Sequence, residues 1–146
     1  MSFKFPLAAV LRYRESIEQR EYFALERTQQ EIARTEARIY ETEQDCAKAA
    51  RDRAADLAKG TRAADVEAAY EYQTALEQQL EALRALLQQL KMTWRQQLAS
   101  YSAARRNRET LEKLRDKQLD AYSREQAKRE QSVMDDIFLA RRGRGN

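Results

Sequence analysis

Residues 76–101 read LEQQLEALRALLQQLKMTWRQQLASY, and this run decides the fold. Its apolar positions, Leu76, Leu80, Leu83, Leu87, Leu90, Trp94, Leu98 and Tyr101, step by 4, 3, 4, 3, 4, 4 and 3. An average near 3.5 residues keeps one stripe of a helix turned toward a partner helix, which is the pattern of a coiled coil. The two consecutive fours at Trp94 form a stutter, which unwinds the supercoil locally. Nothing from Thr61 to Arg142 is a glycine or a proline, so the helix has room to run far beyond the quoted stretch.

A partner seam lies upstream. Leu25, Thr28, Ile32, Thr35, Ile39, Thr42, Cys46 and Ala49 step alternately by 3 and 4, and Leu7, Val10, Ile17 and Ala24 extend the stripe with a one-residue drift. This seam is small and β-branched where the first is bulky, so the two faces suit each other. Between them sits Gly60, which can end one helix in a left-handed cap, with Thr61 or Asp65 starting the next. Pro6 stands where a helix can begin, because its missing N–H costs nothing in the first turn. The expectation is an all-α fold: one domain over 1–146, a long antiparallel two-helix coiled coil. Helix 1 covers about 6–58, the turn about 59–62, helix 2 about 62–140 and a basic tail 141–146. With Gly60 as midpoint, Leu7 faces about position 113 and residues 114–140 overhang as a single helix of about 40 Å. There the apolar residues thin to Leu114, Leu119, Tyr122, Val133, Ile137 and Phe138, while Glu109–Lys113, Asp120–Arg124 and Glu125–Arg129 form favourable i,i+4 pairs.

Composition agrees. Charged residues make up 35% and mean hydropathy is −0.89, yet apolar residues still reach 42% and recur at regular spacing, which argues against disorder. The net charge of +3 is unevenly placed: residues 101–146 hold 12 basic and 8 acidic side chains, whereas 1–60 hold 11 of each. A basic C-terminal end suits either an acidic partner or the helix dipole. A single cysteine excludes a disulfide framework and points to a reducing compartment. No stretch has the roughly 18 apolar residues of a membrane span, and no apolar run follows Lys4, so neither a span nor a signal peptide is expected.

Catalysis finds no footing. The chain has no histidine, no glycine-rich phosphate loop and no metal-ligand spacing, so no cofactor is expected. Cys46 and Trp94 fall on the seams and are read as packing residues. Aromatic residues off the seams, Phe3, Phe5, Tyr70, Tyr72 and Phe138, are candidates for contact with a partner. Arg105, Arg106 and Arg108 raise nucleic acid, but acids interleave at Glu109, Glu112 and Asp116 and no stacking platform accompanies them.

The ends of the chain carry a further pattern. Phe3-Lys4-Phe5-Pro6-Leu7, with Val10-Leu11 and Arg14, resembles the start of the FliJ family of bacterial flagellar export proteins. The run Glu130-Gln131-Ser132-Val133-Met134-Asp135-Asp136-Ile137 resembles that family's closing motif, with Ser132 where a lysine is common and Asp136 where a glutamate is common. The resemblance implies a non-enzymatic component of the flagellar type III export apparatus, similar in fold to the central-stalk subunit of rotary ATPases. It implies three partners: a hexameric export ATPase, a membrane export gate protein and export chaperones. It places the protein in the cytoplasm, peripheral to the inner membrane through that apparatus. Phe3, Phe5, Arg14, Glu130, Gln131, Asp135 and Ile137 would meet the ATPase, and Tyr72, Leu76 and Leu83 the gate. Two other readings stay open beside it: the equivalent stalk of an injectisome-type system, and a basic coiled-coil adaptor for nucleic acid. Seams of this kind also close between two chains as readily as within one.

Overall fold

The computed structural model describes residues 2–145, which form two long helices and, among the described residues, no strand. Helix α1 is Ala8–Lys59 and helix α2 is Ala63–Arg144. The Leu11 amide donates to the Leu7 carbonyl and the Ala8 amide to that of Phe5, so Pro6 lies in a turn just ahead of α1. Arg141, Arg142 and Arg144 lie in the last turn of α2, not in a tail beyond it, and their charges suit the negative end of the helix dipole.

The turn is Gly60–Arg62. Gly60 has φ of 79°, the left-handed conformation in which a Cβ is strained. Thr61 does not start α2. Its hydroxyl donates back to the Asp56 carbonyl and so satisfies the end of α1. Arg62 takes the capping position instead: its carbonyl accepts from the Asp65 and Val66 amides, both at 3.1 Å. Asp65 sits in the first turn, where a carboxylate meets the positive end of the dipole.

Contacts divide the chain into two units, each made of antiparallel helix segments. One is the hairpin Glu21–Tyr101. Its core is Leu25, Ile39, Leu76, Leu80 and Leu83, with Cys46 and Leu87 packed against Ile39, Leu80 and Leu83. Thr28, Thr35 and Thr42 are equally buried. Each hydroxyl donates to a carbonyl one turn back in its own helix, at 3.2, 2.8 and 2.8 Å, so no hydroxyl is stranded and the helix turns small side chains to the leucines. Burial fades beyond the core: Leu90 and Trp94 are half-buried, and Leu98 is exposed.

The other unit joins residues 1–20 to residues 102–146. Leu11 and Ala104 are its buried apolar residues. From Ala104 the partly shielded positions of α2 are Arg108, Glu109, Leu111, Glu112, Arg115, Gln118, Tyr122 and Gln126. Leu114 and Leu119, expected to carry the apolar signal here, stand on the exposed side.

The register differs from the one expected. With Gly60 as midpoint, Glu18 would face about position 102 and Glu43 about position 77. Glu18 instead binds Arg108, and Glu43 binds Arg84 at 3.2 Å. Two causes act together. The turn has three non-helical residues, which moves the midpoint past Gly60. Helical side chains also lean toward their own N-terminus, so antiparallel partners meet across a diagonal. Pairing therefore reaches further along α2 than expected, to Phe3 on Tyr122, with ring centroids 5.6 Å apart.

Candidate partner-binding site

The residues singled out at the chain ends belong to one unit, but the structure separates them into two groups. Phe3 and Phe5 are half-buried, Phe3 by its packing on Tyr122. Arg14 is half-buried on α1. Glu130, Gln131, Asp135 and Ile137 lie on α2 past Tyr122, where every residue from 127 to 145 is exposed. Gln131 donates to the Asp135 carboxylate at 3.1 Å, a pair within one helix face. Glu125 and Arg129 form the expected pair at 3.5 Å, whereas Glu109 turns back to Arg105 at 3.0 Å.

This exposed end is not uniformly polar. Val133, Met134, Ile137 and Phe138 fall within about 140° of one helix face at 100° per residue. Ile137 is 44% exposed and Phe138 64%. Glu130 and Arg141 lie on the same face, so the apolar strip is bounded by opposite charges. A shallow groove along it is lined by Arg129, Glu130, Val133 and Met134. The closing motif alone did not single out Val133 or Met134. The 130, 134, 137, 141 spacing is the signal that finds this face.

On the turn side of the first group the unit is fastened by charge. Arg108 donates to both oxygens of Glu18 on α1 and, at 2.7 Å, to Glu112 on α2. These side chains are largely shielded, and the hydrogen bonds to Glu18, then those to Glu112, raise the guanidinium pKa further still. The triad ties α1 to α2 at this level. Sequence reasoning saw Arg108 as part of a basic cluster and missed its partner 90 positions away.

In the hairpin, Tyr72 is 58% exposed, whereas Leu76 and Leu83 are buried in the core. Of the three, only Tyr72 offers a surface. Nearby Tyr70 lies under the Arg53 guanidinium, 5.3 Å from the ring centroid, and Arg53 also donates to Gln73 at 3.2 Å. Among the described residues no three His, Cys, Asp or Glu side chains are placed to hold a metal ion. No helix among them is long and apolar enough to cross a membrane.

A family model described as FliJ, flagellar FliJ protein, matches residues 3–146, nearly the whole chain. No curated protein matches the chain, and no solved structure does.

Proposed function

The chain belongs to the FliJ family of flagellar proteins, and from that premise we propose that it is a stalk of the bacterial flagellar export apparatus that works by binding and catalyses nothing itself. The family match over residues 3–146 carries this reading. Support comes from the end of α2, where Val133, Met134, Ile137 and Phe138 give an unpaired apolar strip beside Glu130, Gln131 and Asp135. A helix-in-groove contact uses such a strip, and Met134, Ile137 and Phe138 supply anchors at i, i+3 and i+4.

In this proposal the end of α2 overhangs its partner helix and enters a hexameric export ATPase, much as the central stalk of a rotary ATPase enters its ring. Phe3, Phe5 and Arg14 act at one remove, by fixing where the paired region stops. The hairpin surface at Tyr72 meets the membrane export gate, so the protein sits peripherally at the cytoplasmic face of the inner membrane. Export chaperones complete the partner set.

The test is the hydrolysis rate and ring assembly of the cognate export ATPase, with and without this chain. Stimulation by the wild-type protein that is lost in an Ile137→Asp/Phe138→Asp variant is the expected result. With both proteins folded, a rate and a ring population unchanged by the wild-type chain would overturn the proposal.

A further inference from the structure

From residue 82 to residue 108, α2 contains no Asp or Glu, yet it carries Arg84, Lys91, Arg95, Arg105, Arg106 and Arg108. The run follows a stretch of opposite sign, since residues 63–83 carry Asp65, Glu67, Glu71, Glu77 and Glu81 and no Lys or Arg. Within the hairpin, Arg84 is matched by Glu43 at 3.2 Å. Lys91 and Arg95 are exposed and, among the described residues, have no ion pair. By register the nearest carboxylates are Glu36 for Lys91 and Glu31 for Arg95, and neither is in an ion pair.

Lys91 and Arg95 stand one turn apart on α2 with a groove on either side. One groove, of about 290 Å³, is lined by Gln29, Ile32, Lys91, Trp94 and Arg95. The other is lined by Gln88, Lys91, Met92 and Arg95, and Met92 is 61% exposed. Two unpaired cations thus rise between two partly apolar channels.

We propose that this face of the hairpin binds an acidic amphipathic helix of a partner protein. Carboxylates at i and i+4 of that helix meet Lys91 and Arg95, whose spacing of about 6 Å matches theirs. Apolar side chains between them enter the grooves at Ile32 and Trp94 and at Met92. Charge complementarity selects the occupant: an acidic helix supplies the missing sign at the required interval. Nucleic acid fits less well, because two cations hold few phosphates and Trp94 is half-buried in the seam, not displayed for stacking. The inference does not depend on the flagellar reading.

Trp94 is the only tryptophan, so its emission reports on the site. The full chain is titrated with a synthetic acidic amphipathic peptide carrying Glu at i,i+4 and Leu between, with the same peptide carrying Gln for Glu, and with a single-stranded oligonucleotide. Emission and calorimetry are read together. The acidic peptide should shift the emission and bind at least about tenfold tighter than the Gln peptide, an advantage that falls with salt. Lys91→Glu/Arg95→Glu, and the milder Lys91→Gln/Arg95→Gln, should each weaken it about tenfold with unchanged helical circular dichroism. Any of four results overturns the proposal: no binding by the acidic peptide, equal binding of the two peptides, equal binding by the folded variants, or tighter binding by the oligonucleotide.

Discussion

The hairpin and the end unit are built from the same two helices, yet different forces hold them. In the hairpin, leucines on α2 meet Ile39 and three threonines that keep their hydrogen bonds at home. Among the described residues of the end unit only Leu11 and Ala104 are buried, polar Arg108 and Gln118 share the partly shielded positions with Leu111 and Tyr122, and Arg108 joins α1 to α2 through Glu18. Burying a leucine stabilises by about 1.5–3 kcal/mol but is indifferent to register by a heptad. A two-pronged ion pair contributes less, but it is satisfied at one register only. The hairpin supplies most of the adhesion, and the end unit supplies alignment.

The contrast is open to attack at its strongest point first. Leu83→Asp places an unpaired carboxylate at a site that is 5% exposed. It should cost about 3–5 kcal/mol and collapse the helical signal on heating far below the wild-type midpoint. Arg108→Ala strands Glu18 and Glu112 and should cost about 1–3 kcal/mol by denaturant titration. Amide exchange should then quicken around Leu11 and Leu111 while the protection at Leu25 and Leu80 persists. An even acceleration through both regions would erase the distinction drawn here. Gly60→Ala meets no neighbouring atom within 4 Å, so only backbone strain acts, and a loss of about 1 kcal/mol is expected. Thr35→Val is the finest probe. Because that hydroxyl serves only its own helix, the change should stay within about 0.5 kcal/mol of neutral by thermal melt.

The hairpin was legible because its information is local and periodic. The 3.5-residue steps from Leu76 to Leu90, and the single glycine between two unbroken runs, suffice to place both helices. The end unit was not, because its pairing depends on long polar side chains. Leu114 and Leu119 draw the eye, but Arg108 and Glu18 fix the register, and nothing in the local sequence of either says that they meet. The same error shifted the expected end of pairing: a three-residue turn and the lean of side chains carry Phe3 to Tyr122. At the site, the end motifs led to Ile137 but not to Val133 and Met134, and Leu76 and Leu83 proved to be core residues. A residue type marks a position as apolar; only the packing says whether that apolar surface is spent internally or left for a partner.

Not one described side chain has less than 2% of its surface exposed. Two layers of helix shield one another but enclose nothing, so every seam residue keeps an edge in water. A bound partner therefore acts as a third layer, and its association free energy is linked to folding. At a hundredfold excess over its dissociation constant, such a partner raises the unfolding free energy by about 2.7 kcal/mol. The melting temperature of this protein is thus a readout of its company, and a thermal-shift screen would rank partners without any knowledge of where they bind.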